Sequence, residues 1–206
     1  MKTYFVISDI HSFYDEMIKS LDNAGFDRNN KEHILIVCGD IFDRGAKPLE
    51  VYNYLRTLPR ARRILIRGNH EILLKQLYER KFHLSYDIHN GTLDTLCYIC
   101  GQPIHKEYLW NITQLEVDGS REDVKRMAAE RNKCLYEDNQ LIKDILEWID
   151  SDEWRNYYEL GQFIFVHSFI PLTQHIDWEK SKWCNCLIKE SPDTYRDDWR
   201  NATQTE

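Results

Sequence analysis

Four short apolar runs rich in β-branched residues are each followed at once by carboxylate, imidazole or amide side chains, and this adjacency constrains the chain most. The runs are Thr3 to Ser8, His33 to Cys38, Arg63 to Ile66 and Gln162 to Val166. Near-continuous apolar runs of this length suit strands buried on both faces. Helical patterns separate the first three. Residues 14–24 put Met17, Ile18, Leu21 and Ala24 on one stripe, and Gly25 follows as a stop. Residues 48–58 begin at Pro48, a favoured first helical position, and end before Pro59. Residues 70–81 carry Ile72, Leu73, Leu77 and Tyr78. This βαβαβα order predicts an α/β fold with parallel strands.

The middle of the chain reads differently. Residues 83–118 are mixed, with turns at Asn90-Gly91 and Gly101-Gln102-Pro103. Residues 120–150 read as helical: Ser120 and Asp123 resemble a capping box, and Leu141, Ile142, Ile145, Leu146 and Ile149 repeat at helical spacing. The expected organisation is one domain over 1–206, with a core of 1–82 and 160–206 and a helical insertion or cap over 83–159. That segment either covers a site and selects substrate or simply completes the core. Tyr157, Tyr158, Phe163, Phe165, Trp178, Trp183, Tyr195 and Trp199 are read as core or cap packing.

Composition excludes several classes. Of 206 residues, 42% are hydrophobic and 30% charged, which suits a folded globular chain rather than a disordered one. The net charge of −7 argues against general nucleic-acid binding, which needs a basic face. A phosphorylated substrate stays compatible, because bound cations would reverse the local field. No apolar stretch approaches the roughly 18 residues of a membrane span, and no export signal is read at the start. A cytoplasmic protein with reduced cysteines is expected. Cys97-x-x-Cys100 has zinc-knuckle spacing, but Cys184-x-Cys186 is too tight to complete it, so buried or incidental thiols are the preferred reading.

The polar clusters carry the chemistry. Asp9-Ile10-His11 follows the first run, Gly39-Asp40-Ile41-Phe42-Asp43-Arg44-Gly45 the second, Gly68-Asn69-His70-Glu71 the third and His167-Ser168 the fourth. Ligands of open α/β sheets bind beyond the carboxyl ends of the strands, where these clusters would converge. Singly, each is weak, since an aspartate at a strand end is often a helix cap. Together they supply carboxylates, imidazoles and an amide oxygen, a donor set for manganese, iron, zinc, nickel or magnesium rather than copper(I). One carboxylate could bridge two ions, a pair that activates water and aligns the attacking and departing oxygens. Glycines 39, 45 and 68 would let the backbone turn tightly there.

The set Asp-x-His, Gly-Asp-x-x-Asp-Arg-Gly, Gly-Asn-His-Glu and a later strand-ending His resembles the calcineurin-like metallophosphoesterases. Its second and third motifs are similar to the phosphoprotein-phosphatase branch, with its bacterial and phage-type members. The resemblance implies a four-layer αββα sandwich and two divalent metals, manganese first among them. It implies that Asp9 and His11 hold one metal, that Asp40 bridges both, and that Asn69 and His167 bind the second. It makes His70 the general acid, paired with Asp43, and Arg44 the grip on substrate phosphate beside Asn69 and His70. Glu71 is expected to serve the helix start. Asn90-Gly91-Thr92 with Thr95 loosely resembles a short family segment, Asn-Gly-Gly-x-x-Thr, with Thr92 replacing its second glycine.

Two departures stand out. The fourth motif reads Val166-His167-Ser168-Phe169, where His-Ala-Gly or His-Gly-Gly is usual. The final Gly-His metal ligand has no counterpart, and His175 is a poor substitute. The tail Asp197 to Glu206 therefore suggests a chain that stops short, with one metal site lacking a ligand. The first expectation is hydrolysis of phosphate monoesters, including phosphoserine or phosphothreonine proteins, by a metal-activated water. The alternatives are a dinucleoside-tetraphosphate hydrolase and a catalytically impaired remnant that binds metal or phosphate.

Overall fold

The second apolar run builds the centre of the molecule. The computed structural model describes residues 1–101, 133, 135, 136 and 139–168. Strand β2 (His33–Cys38) lies between β1 (Thr3–Ile7) and β3 (Arg63–Ile66), and a two-residue β4 (Trp154–Arg155) extends the sheet beyond β3. All three pairings are parallel, with Ile7 opposite Val37, Val37 opposite Leu65 and Leu65 opposite Trp154. The crossovers are helices α1 (Tyr14–Asn23) and α2 (Pro48–Thr57), as the periodicity predicts, and a short 3₁₀ turn at Arg60–Arg62 leads into β3. After β3 come α3 (Asn69–Arg80), α4 (Ser85–Asn90), α5 (Thr92–Ile99) and α6 (Gln140–Asp150).

Strand alternation gives the sheet two packed faces. Leu35 and Val37 of β2 point into the main core with Met17, Leu21, Val51, Leu55, Leu74, Leu77, Leu93 and Leu96 from the helices. Ile36 and Cys38 point the other way, onto a second cluster with Ile66, Tyr4, Ile64, Tyr158 and Phe165. The last two come from an antiparallel hairpin, β5 (Tyr157–Leu160) and β6 (Phe163–Val166), that forms a separate sheet. The described layers therefore run helix, sheet, sheet.

Several details differ from the sequence reading. The fourth run is β6 of the hairpin, in the second sheet that the resemblance implies, whereas β4 and most of β5 fall within the 83–159 segment read as helical. The described parts of that segment feed the same core, through Leu93, Leu96 and Cys97 of α5 and Ile142, Ile145, Trp148 and Ile149 of α6. Strand β1 is not buried on both faces, since Val6 is 51% exposed. Phe163 is 58% exposed rather than in the core. Ala24 lies on the exposed side of α1, and the buried stripe of α3 is His70, Glu71, Leu74 and Leu77 rather than Ile72 and Leu73. Helix α6 starts at Asn139, whose side chain accepts from the backbone N–H groups of Leu141 and Ile142. Ser120, Asp123, Phe169, His175, Trp178, Trp183, Cys184, Cys186, Tyr195 and the tail Asp197 to Glu206 lie outside the described residues.

Candidate functional site

Where β1, β2 and β3 end, the backbone leaves regular structure abruptly. Asp9, His11, Ser12, Asp40, Asp43 and Arg44 all have positive φ, between 47° and 75°. For residues other than glycine that conformation costs on the order of 1 kcal/mol each. It is held by hydrogen bonds between the loops: His11 N–H donates to Asp40 O at 2.9 Å, Ser12 N–H to Ile41 O at 2.8 Å and Gly45 N–H to His11 O at 2.8 Å. Gly68 brings the end of β3 against the end of β2. A Cβ there would lie 2.2 Å from Asp40 Oδ1.

Glu71 locks the same junction. Its fully buried carboxylate accepts from Gly68 N–H at 2.7 Å, closing the start of α3. It also accepts from the N–H groups of Asp40 at 3.0 Å and Ile41 at 2.8 Å. Burial and the neighbouring Asp40 charge raise its pKa to about 7, against the pull of those three bonds. The sequence signal covers only the helix-start role; the bonds to the end of β2 join residues 30 and 31 positions apart.

Asp40 lies at the centre. Its Oδ2 is 3.8 Å from Nε2 of both His11 and His70, and its Oδ1 is 3.3 Å from His167 Nε2. Oδ1 also accepts from His70 N–H at 3.0 Å. Burial raises the Asp40 pKa, but His167 and His70 outweigh it and the net direction is down. Asp9 Oδ1 approaches His11 Nε2 at 3.9 Å, and Asn69 Oδ1 approaches His167 Nε2 at 3.0 Å. The hairpin carrying His167 is in the other sheet, yet the ring still reaches the cluster.

Two histidines are aimed by their own hydrogen bonds. His11 Nδ1 lies 2.9 Å from Phe42 O and His167 Nδ1 lies 2.8 Å from Cys38 O. A carbonyl only accepts, so each Nδ1 carries the proton and each Nε2 faces the carboxylates. Imidazole nitrogens, the Asp9 and Asp40 carboxylates and the Asn69 amide oxygen converge there, with the His70 backbone N–H bonded to Asp40 Oδ1. That arrangement suits cations. Among the described residues two groups have ligand atoms close enough to hold an ion, His11–Asp40–His70 and Asp9–Asp40–His167, and they share Asp40. Without a cation, the Asp40 contacts lift His167 to about 9 against the effect of burial. Burial pushes His11 the other way, down.

A second arrangement adjoins the first. His70 Nδ1 lies 2.6 Å from Asp43 Oδ2, both side chains buried. Burial lowers the His70 pKa, but the Asp43 hydrogen bond and the Asp43 and Asp40 charges raise it further. The exposed Arg44 lies beside it, with Nη2 3.5 Å from His70 Nε2. A protonated ring held this way can deliver a proton from Nε2, and the guanidinium beside it can bind an oxyanion. The structure thus brings together Asp9, His11, Asp40, Asp43, Arg44, Asn69, His70 and His167. It adds Thr92 and Thr95, which bond to Asp43. The Asn90-Gly91-Thr92 signal pointed at this segment without saying what it touches.

Comparison with known proteins bears on this geometry. The calcineurin-like phosphoesterase family pattern matches residues 2–199. A symmetrical bis(5'-nucleosyl)-tetraphosphatase of Buchnera aphidicola subsp. Baizongia pistaciae is 37% identical over 78 residues, 38% of this chain and 27% of the relative. Its counterpart in Buchnera aphidicola subsp. Acyrthosiphon pisum (strain Tuc7) is 43% identical over 74 residues, 36% of this chain and 26% of the relative. The asymmetrical bis(5'-nucleosyl)-tetraphosphatase PrpE of Bacillus subtilis is 27% identical over 150 residues, 69% of this chain and 52% of the relative. The chain spans about half or less of the length of the curated relatives it matches.

Proposed function

Because the chain belongs to the calcineurin-like phosphoesterase family, we propose that it hydrolyses a phosphoric anhydride of the dinucleoside-tetraphosphate class with two divalent cations gathered on Asp40. The observation that carries the two-cation reading is the sharing of Asp40 by two groups of possible ligands, His11–Asp40–His70 and Asp9–Asp40–His167. The tetraphosphatase relatives favour this substrate over the phosphoprotein monoester that the motifs suggest first.

Asp9, His11, Asp40, Asn69 and His167 would hold the two cations, with Asp40 common to both groups of ligands. The pre-aimed Nε2 atoms of His11 and His167 lower the cost of gathering these ligands. When bound, two such cations polarise phosphoryl oxygens and lower the pKa of a water molecule. Manganese is the first choice and magnesium, iron, zinc or nickel the alternatives. Arg44 binds non-bridging phosphoryl oxygens and turns the phosphorus toward Asp40. His70, kept protonated by Asp43, gives its Nε2 proton to the departing oxygen as the bond to phosphorus breaks. A departing phosphate is a weaker base than an alkoxide, so an anhydride draws less on that proton than a serine phosphate. Cys38, Cys97 and Cys100 carry thiols rather than disulfides, which a reducing cytosol would maintain.

The test compares diadenosine tetraphosphate with a phosphoserine peptide, with and without added manganese, in the unaltered protein and Asp40→Asn. Manganese-dependent cleavage of the tetraphosphate, lost in the variant, is expected. Faster turnover of the peptide would reject the substrate assignment, and no manganese-dependent turnover of either would reject the activity.

A further inference from the structure

The start of α5 supplies no member of either cation-holding group among the described residues, yet it is built around the proton-donating pair. Thr92 Oγ1 donates to Asp43 Oδ2 at 2.6 Å, the same oxygen that takes the His70 Nδ1 proton at 2.6 Å. Thr95 Oγ1 accepts from Asp43 N–H at 3.0 Å. Asp43, Thr92 and Thr95 are all fully buried. Gly91, at φ +81°, packs against the backbone of Arg44, and a Cβ there would come within 2.6 Å of Arg44 N. Asp43 and Arg44 themselves sit at φ 75° and 65°, a conformation they would not hold unaided.

The bonding of the carboxylate is lopsided. Asp43 Oδ2 takes two hydrogen bonds, while Oδ1 is buried without a partner. Without Thr92, only the His70 bond would fix the carboxylate's rotation. The orphan oxygen could then swing toward any donor, taking the imidazole with it. With Thr92, two hydrogen bonds converge on one oxygen, and the Nε2 edge of His70 stays aimed at the Asp40 edge of the site.

We propose that the Gly91–Thr95 turn is a positioning element for general acid catalysis, and that Thr92 is the positioning residue that orients Asp43 and, through it, His70. This rests on the proton-donor role proposed for His70. Thr92 bonds to Asp43 and belongs to neither group of cation ligands among the described residues, so its removal should affect proton delivery and leave substrate binding in place.

Thr92→Val replaces the hydroxyl by a methyl group of similar shape, and Thr92→Ser restores it. Two readouts separate positioning from support of the fold. The first is the leaving-group dependence of kcat on aryl phosphates. With phenyl phosphate, whose phenolate needs a proton, kcat of Thr92→Val should fall roughly tenfold to a hundredfold at unchanged KM. With 2,4-dinitrophenyl phosphate, whose leaving group needs none, kcat should stay within about twofold. Thr92→Ser should recover both. Equal losses on the two substrates would overturn the proposal.

The second readout needs no turnover. In metal-free, ¹⁵N-labelled protein the His70 imidazole N–H resonance, assigned by its loss in His70→Asn, should shift in Thr92→Val and return in Thr92→Ser. An unmoved resonance in folded Thr92→Val would also overturn the proposal. An unaltered protein that hydrolyses neither aryl phosphate leaves the anhydride reading to its own test, and the resonance then decides the role of Thr92. If Thr92→Val does not fold, the unaltered protein still answers. A nuclear Overhauser contact between the Thr92 hydroxyl proton and the His70 Nδ1 proton supports the arrangement, and its absence rejects it.

Discussion

The two ends of the parallel sheet handle buried charge in opposite ways. At the amino end of β3, Arg62 donates to His33 O at 2.9 Å, Arg28 O at 2.6 Å and Asp27 O at 3.3 Å. Arg63 donates to Leu55 O at 2.9 Å, Arg56 O at 2.7 Å and Leu58 O, closing the last turn of α2. It also pairs with Glu153, which accepts from Arg56 at 3.2 Å and Trp148 Nε1 at 3.3 Å. Donors there meet acceptors. At the carboxyl end, carboxylates and imidazoles crowd around Asp40, and six residues other than glycine hold positive φ. A fold tolerates strain and like-charge crowding where a ligand is to resolve them, and removes them elsewhere. The first end is built for stability and the second for chemistry.

Substitutions should separate these two properties. The largest effect is expected from His70→Asn, which should lower kcat on a phenolic ester by roughly 10²–10⁴-fold. Its melting temperature should change little. A variant that melts much earlier would place His70 in the structural frame and blur the contrast. Arg63→Ala is the mirror case. It removes one partner of a buried pair together with the carbonyl bonds that close α2, and should cost about 3 kcal/mol in a denaturant titration. Activity per folded molecule should be kept, and a specific loss of kcat would break the comparison.

Cations should relieve only the carboxyl end. Manganese at a hundred times its dissociation constant should stabilise the protein by about 2.7 kcal/mol, and chelation should reverse this. Asp40→Asn should abolish the gain, and Arg63→Ala should keep it. Stabilisation that survives Asp40→Asn would mean that the cation binds elsewhere.

The smallest effect concerns acid. Burial raises the Glu153 pKa, but its bonds to Arg63 and Trp148 and the Arg63 and Arg56 charges take it below the ordinary glutamate value. A depressed folded pKa gives stability that is present above the unfolded value and lost as pH falls through the folded one. Glu153→Gln should therefore flatten the acid limb of the stability profile below about pH 4.5. An unchanged limb would assign acid sensitivity to the carboxylates of the other end.

The sequence makes these two ends unequally visible. The carboxyl end is legible because its residues follow strands directly: Asp9, Asp40, Asn69 and His167 each stand one to three positions past an apolar run, as do His11 and His70 within four. Local pattern also places β1, β2, β3, α1, α2 and α3. The arginine end is nearly silent, because Arg63 and Glu153 are 90 positions apart and neither lies in a motif. Thr92 and Glu71 are intermediate cases. Each lies in a visible local signal, a turn or a helix start, but the bonds that matter reach Asp43 across 49 positions and Asp40 across 31. Strand β4, at two residues, is too short to show a period, and alternation within β6 does not say which sheet it joins.

The sequence by itself determined the chemistry on offer: strands that end in metal-binding and proton-donating residues, and helices that return the chain so that those ends share one edge. Local periodicity and strand-end placement encode that much, because they depend on neighbours along the chain. Only the tertiary structure decided that His167 arrives from a second sheet, that Glu71 joins the ends of β2 and β3, and that a threonine on α5 shares one oxygen with the His70 proton. Those contacts depend on which surfaces meet after folding, and packing sets them rather than the order of residues along any one segment.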